Sequence, residues 1–92
     1  MKIYKYEIPV PESDAHGSDV TMPAAARILT VAAQGDRIYV WAAVDPGAPL
    51  EARRFWIHGT GHDMSISARA YPFLGTVFLG AMVFHVFGGV AQ

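Results

Sequence analysis

The chain contains no cysteine and little charge. The absence of cysteine among its 92 residues excludes disulfide bonds and thiolate metal sites, and it is compatible with a reducing compartment. Charged residues make up 16% of the sequence, against about 25% in typical soluble domains. The formal net charge is −1, and the seven lysines and arginines are scattered apart from Arg53-Arg54. Because a nucleic-acid backbone binds to a basic stripe, we expect no nucleic-acid partner.

Long hydrophobic runs are also missing. The longest apolar stretch, near the C-terminus, is interrupted by Gly75, Gly80 and His85 and falls short of the ~20 residues that cross a bilayer. The first seven residues alternate in polarity, unlike a signal peptide. The sequence therefore predicts a soluble cytoplasmic protein with no membrane partner.

Apolar residues are nevertheless abundant. They make up 52% of the chain, whose length allows a single domain, residues 1–92, with one small core. One small core cannot bury this much apolar surface. We therefore expect the remainder to lie in a subunit interface or a ligand cleft.

Alternating side-chain types predict short antiparallel strands. Residues 2–8 alternate, and two strand patterns between Arg27 and Val44 flank Gly35-Asp36, which suits a two-residue hairpin turn of type II′ or I′. The opposite face of this hairpin carries Tyr39 and Trp41 among polar side chains. Its expected core face consists of Leu29, Val31, Ala33, Ile38, Val40 and Ala42.

Two further strand regions follow. Residues 52–58 place Arg53, Phe55 and Ile57 on one side, and they place Arg54, Trp56 and His58 on the other. A last hairpin, Phe73–Phe87, turns at Gly80-Ala81 and is apolar on both faces. One face places Thr76 opposite His85 and also carries Leu74, Phe78, Val83 and Phe87. With six or seven short strands and no helical period, the sequence predicts an all-β fold, a small antiparallel barrel or sandwich.

The stretch from Arg53 to His62 combines cations, aromatics and glycines. Two glycines around Thr60 allow backbone N–H groups to approach an anion, as in a phosphate-binding nest. Arg54 suits a bidentate phosphate contact, and Trp56 or Trp41 suits stacking on a base. A glycine-rich bulge or loop without a ligand is the alternative. The candidate ligand-binding residues are Tyr39, Trp41, Arg54, Trp56, His58, Thr60 and His62.

Metal and catalytic motifs are not found. On a straight strand His58 and His62 lie about 13 Å apart, too far to share a metal. Only a sharp turn at Gly59-Thr60-Gly61 would bring them together, and a third ligand is then needed from His85 or His16. There is no Gly-x-Ser-x-Gly motif and no paired-carboxylate pattern. We therefore assign no catalytic residue, no metal and no cofactor, and we interpret His85 as a structural histidine paired with Thr76 or with backbone.

Several short motifs resemble a family of small uncharacterised proteins of bacteriophages and prophages. They are Ile3-Tyr4-Lys5-Tyr6-Glu7, Pro23 with Ala26-Arg27-Ile28-Leu29, Trp41-Ala42-Ala43-Val44-Asp45-Pro46, Arg54-Phe55, Gly59-Thr60-Gly61-His62, Leu74-Gly75-Thr76-Val77 and Val83-Phe84-His85-Val86-Phe87. The resemblance covers most of the chain and implies a protein that works in the cytoplasm of an infected bacterium. It implies no particular activity.

The sequence is compatible with two binding functions. The first is a non-enzymatic oligomer that binds a small anionic, nucleotide-like ligand, for example to sequester a host immune signal. The second is an accessory or inhibitory protein that docks a host or virion protein through aromatic residues, which often dominate interfaces. A hydrolase that uses His58 and His62 is a third, weaker alternative.

We predict a stable homodimer or larger oligomer with the hairpin Phe73–Phe87 near the subunit boundary. Each large apolar side chain of an uncovered face would forgo roughly 1.5–3 kcal/mol of burial, and one self-complementary contact removes this cost. Sedimentation at low micromolar concentration tests the prediction. A single species with the mass of one chain would contradict it.

Overall fold

The computed structural model describes residues 1–13 and 16–91, which form two antiparallel sheets. The three-stranded sheet has the order β1-β4-β3, with β1 at Lys2–Glu7, β3 at Arg27–Gln34 and β4 at Arg37–Val44. The four-stranded sheet has the order β2-β5-β7-β6. Its strands are β2 at Ser18–Pro23, β5 at Leu50–Gly59, β6 at Phe73–Leu79 and β7 at Met82–Ala91. The predicted all-β fold of six or seven antiparallel strands is confirmed.

Helical structure in the described residues is limited to one short 3₁₀ turn, Ala68–Ala70. Nothing in residues 1–13 and 16–91 forms a helix with the length and apolar character needed to traverse a bilayer.

The core lies between the two sheets and follows the period of two along each strand. On β4, Ile38, Val40, Ala42 and Val44 are at most 1% exposed, while the residues between them are partly exposed. They pack against a matching set from the four-stranded sheet, which includes Phe55, Ile57, Val77 and Val86. Successive side chains of a strand point to opposite faces, so the alternation in the sequence selects the buried face.

A β-bulge in β3 corrects the predicted core face. Ile28 pairs with Ala42, whereas Thr30 pairs with Trp41, so Leu29 is the extra residue between them. Since one added residue inverts the faces on one side of the bulge, Ile28 packs against the core and Leu29 is 39% exposed. The prediction that Leu29 belongs to the core face is wrong.

A second bulge lies in β6. Phe73 pairs with Phe87 and Gly75 pairs with Val86, so the predicted position of Leu74 beside Phe87 is wrong, and Leu74 packs against the core instead. A Cβ atom on Gly75 would lie 2.9 Å from Val31 Cγ2 of β3. The missing side chain therefore permits the close approach of β6 to β3, where the two sheets meet.

The two predicted hairpin turns are confirmed. Gln34 pairs with Arg37 around Gly35-Asp36, and Leu79 pairs with Met82 around Gly80-Ala81. In both turns the glycine has a φ of +62° and the second residue does not have a positive φ, which is the pattern of type II′. Strand β7 continues beyond the predicted end at Phe87 to Ala91.

The segment of residues 60–72 covers part of the outer face of the four-stranded sheet. The Tyr71 ring packs on the Trp56 ring with centroids 6.1 Å apart, and Ala68 is fully buried. Trp56 and His58 on this outer face are consequently 5% and 2% exposed. The segment does not cover the edge strand β6 in this way, and Phe73 and Phe78 consequently remain 57% and 70% exposed.

A buried arginine connects three parts of the chain. Arg53 shares a side of β5 with Phe55 and Ile57, as predicted. That side faces the core, and Arg53 is 7% exposed. Its Nη1 donates to the Gly89 carbonyl at 2.5 Å, and its Nη2 donates to the Ala26 carbonyl at 2.6 Å. Its Nε donates to Glu51 Oε1 at 3.3 Å. Gly89 is the extra residue of a bulge in β7, since Arg54 pairs with Val90 and Phe55 pairs with Gly88. The guanidinium therefore joins β5 to this bulge and to the turn between β2 and β3.

We predict that Arg53→Met lowers the free energy of unfolding by about 3 kcal/mol, since two buried carbonyls lose charged donors. The adjacent Arg54→Met is the matched control, and it should cost less than about 1 kcal/mol because Arg54 makes a surface ion pair. Urea unfolding of both variants measures the difference. Equal losses would show that Arg53 contributes no more than an exposed arginine.

Candidate functional site

A cleft of about 320 Å³ lies where β5 ends beside the tip of the β6–β7 hairpin. This volume is at the lower end of the range typical of small-molecule sites. The cleft forms because Gly59 is the last β5 residue paired with β7, opposite Phe84, and the chain then turns away. One wall is polar and the other is mostly apolar. The lining residues are Gly59, Thr60, His62, Ala81, Met82, Val83 and Phe84.

The polar wall is a tight turn that places His62 over Gly59. The His62 amide donates to the Gly59 carbonyl at 3.1 Å, and Gly61 has a φ of +86°, which favours glycine. A Cβ atom on Gly59 would lie 2.8 Å from His62 Cε1. The absence of a side chain at position 59 therefore allows the imidazole to lie against the backbone at the edge of the cleft.

Behind the cleft, His85 bridges two threonine hydroxyls. His85 Nε2 is 2.7 Å from Thr60 Oγ1, and His85 Nδ1 is 2.9 Å from Thr76 Oγ1. Thr60 and Thr76 come from different elements, and β7 lies between them in the sheet. The predicted pairing of Thr76 with His85 is confirmed. Because the bridge also holds Thr60, it fixes the orientation of a hydroxyl that lines the cleft.

Arg54, predicted to contact a phosphate, forms an ion pair within the fold. Arg54 Nε and Nη2 donate to the two carboxylate oxygens of Asp19 at 2.7 and 3.1 Å. Hydrogen bonding from the guanidinium lowers the pKa of Asp19, partial burial opposes this effect, and the attraction between the charges adds to it. Arg54 lies five residues before Gly59 on β5, a separation of about 16 Å along an extended strand.

Trp56 and His58 lie beneath the segment of residues 60–72. The Trp56 indole Nε1 is buried with no hydrogen-bond partner among residues 1–13 and 16–91. The His58 ring packs against Phe87, with centroids 6.2 Å apart. Both side chains are therefore buried, and neither belongs to the cleft lining.

Tyr39 and Trp41 lie on the other side of the molecule. Both project from the outer face of the three-stranded sheet, with ring centroids 6.1 Å apart, and Lys5 Nζ lies 4.5 Å from the Tyr39 ring centroid. The two sheets of the core separate this pair from Trp56. The structure therefore does not bring the seven predicted residues together, and the cleft contains only Thr60 and His62 of that set.

Several residues of the site were not predicted from the sequence. Met82, Val83 and Phe84 were assigned to a hairpin surface, and His85 was interpreted as structural. The available signal was the position of His85, because a histidine between two apolar residues faces away from them on a strand. No sequence pattern paired β7 with β5, and this pairing creates the cleft. In the described residues, no group of three potential metal ligands is close enough to hold a metal ion.

The fold and the cleft define a small two-sheet β protein with a pocket of ligand size. Over residues 1–92 the chain matches the model of a family described as a domain of unknown function, DUF7352, and it belongs to that family. Searches of curated proteins and of solved structures give no significant match.

We predict that the Asp19–Arg54 pair makes stability depend on acidity. Because the pKa of Asp19 is lowered in the folded chain, its contribution is fully present above the unfolded pKa of about 4. It is lost as the pH falls through the folded pKa. The side chains of Arg54 and Asp19 are 35% and 46% exposed, so solvent screening limits the contribution to about 0.5 kcal/mol.

Urea unfolding at about pH 5 and about pH 2 measures this effect. The deficit of Asp19→Asn relative to the unmodified chain should shrink at the lower pH. Asp36→Asn is the control, since the Asp36 side chain is 96% exposed and 3.8 Å from Arg37 Nε. A deficit independent of pH would contradict the prediction.

Proposed function

We propose that this protein is a non-enzymatic binding protein and that its cleft holds a small anionic ligand. The observation that supports the proposal is the two-sided lining. Thr60 and His62 offer polar groups on one wall, and Met82, Val83 and Phe84 offer an apolar surface on the other. Pockets of this kind, mostly apolar with a few converging polar groups, are typical of small-molecule sites.

The finer proposal is a nucleotide-derived ligand in an infected bacterial cytoplasm. It draws on the resemblance to phage and prophage proteins, and sequestration of a host immune signal would then be the role. Within the Gly59-Thr60-Gly61 turn the Thr60 and His62 amides donate to the Val83 and Gly59 carbonyls, so support for an anionic ligand comes from the side chains of Thr60 and His62 in the lining. Met82, Val83 and Phe84 give the opposite wall its apolar character, and the Phe84 side chain also packs against the core.

A protein partner is the alternative, and one observation favours it. Tyr39 and Trp41 form a partly buried aromatic pair on the outer face of the three-stranded sheet. Aromatic side chains with polar neighbours often anchor protein interfaces. A host or virion protein would dock there, away from the cleft, so Trp41→Ala separates the two functions.

The proposed homo-oligomer uses the uncovered part of the β6–β7 hairpin. Phe73 and Phe78 are each more than half exposed and lie outside the cleft lining. Their burial in a symmetric contact would remove apolar surface that one chain leaves in water.

We predict that isothermal titration with cyclic and ADP-ribose-type nucleotides detects binding tighter than about 1 mM. Met82→Glu should abolish it, because a carboxylate in the lining repels an anion. Met82 is 55% exposed, so the substitution need not disturb the core.

Leu50→Glu is the matched control, since Leu50 is 70% exposed at the opposite end of β5. Its affinity should equal that of the unmodified chain. No binding tighter than millimolar across the panel would refute the proposal.

A further inference from the structure

Histidine is the only titratable residue type in the lining of the cleft, among the residues that the structure describes. The lining residues include no lysine, arginine, aspartate or glutamate in the part of the chain that the structure describes. The preceding arginine on the strand, Arg54, is about 16 Å away along β5, and Asp19 occupies its guanidinium. An ion loses hydration when it enters a pocket, and a multiply charged ion recovers that loss only where cations replace the water. The cleft is therefore poorly suited to a polyphosphate.

The Thr60 hydroxyl can act as either donor or acceptor toward a ligand. In a neutral imidazole one ring nitrogen donates and the other accepts. When His85 Nε2 carries the proton, it donates to Thr60 Oγ1, and the Thr60 O–H can donate to a ligand. In the other tautomer the Thr60 O–H donates to Nε2, and the oxygen lone pairs can accept from a ligand. Because Thr76 is also a hydroxyl, it satisfies Nδ1 in both states.

We infer that the cleft selects an uncharged or singly anionic ligand of nucleoside size, bound through a carbonyl, amide or hydroxyl group at Thr60. This inference rests on the proposed binding function and specifies its ligand class. The apolar wall of Met82, Val83 and Phe84 takes the body of the ligand. The volume of about 320 Å³ suits a nucleoside-sized molecule rather than a dinucleotide, since ligand sites range upward from about 300 Å³.

A series of ligands with one base and increasing charge tests this inference. The full chain is titrated calorimetrically with adenosine, cyclic AMP, AMP and ATP. Adenosine and the singly charged cyclic AMP should bind at least about tenfold more tightly than ATP, and AMP should lie between them. Thr60→Val preserves the shape of the side chain and removes its hydroxyl. It should lower the affinity for adenosine and for cyclic AMP by about tenfold, which is the equivalent of one hydrogen bond.

Thr30→Val is the matched control. Thr30 is an exposed threonine on β3, outside the cleft lining, and its substitution should leave all four affinities unchanged. Unfolding curves of both variants verify that they remain folded.

The outcomes separate this inference from the broader proposal. Affinity that rises from adenosine to ATP, or that is indifferent to Thr60→Val, overturns the ligand class while binding itself stands. If none of these four compounds binds, the ligand class is also overturned. If the panel of cyclic and ADP-ribose-type nucleotides shows no binding as well, the proposed function is refuted.

Discussion

The architecture depends on one buried cation. The Arg53 side chain is buried, and a buried ion is tolerated when acceptors surround it. The Gly89 and Ala26 carbonyls supply them, and Glu51 offsets part of the charge. The same contacts satisfy two carbonyls at places where the ladder pattern is broken, one at the β7 bulge and one between β2 and β3. Arg53 thus anchors the half of β5 that lies away from the cleft. Gly59 is the last residue of the same strand and Thr60 follows it, so this anchor also positions the residues at the cleft.

The strands and most of their faces follow from alternation in the sequence. Arg53, Phe55 and Ile57 were correctly placed on one side because that alternation has no interruption in β5. The errors at Leu29 and Leu74 have one cause, which is a bulge that adds a residue to one strand of a pair. Gly75 gave a local hint of a bulge, whereas β3 has no glycine or proline at its bulge. The carbonyl partners of Arg53 carry no side-chain signature at all.

Less of the candidate site was predictable, because strand order decides which faces converge. Thr60 and His62 are neighbours along one turn, and Thr76 meets His85 within one hairpin, so local register was sufficient for both. Tyr39 and Trp56 each occupy the outer face of a strand, but the strands belong to different sheets. Period-two alternation distinguishes inside from outside on each strand. It does not indicate which strands share a sheet, and the aromatic residues were therefore grouped across the core.

The ends of the two sheets have a consequence for aggregation. β1 and β2 are terminal strands in the sheet orders, and terminal strands offer unpaired amide and carbonyl groups to other chains. β1 carries Lys2 and Lys5, and Pro23 closes β2. Lysine charges and proline both oppose the addition of a further strand. A chain that is 52% hydrophobic is thereby protected from fibril growth at these two edges.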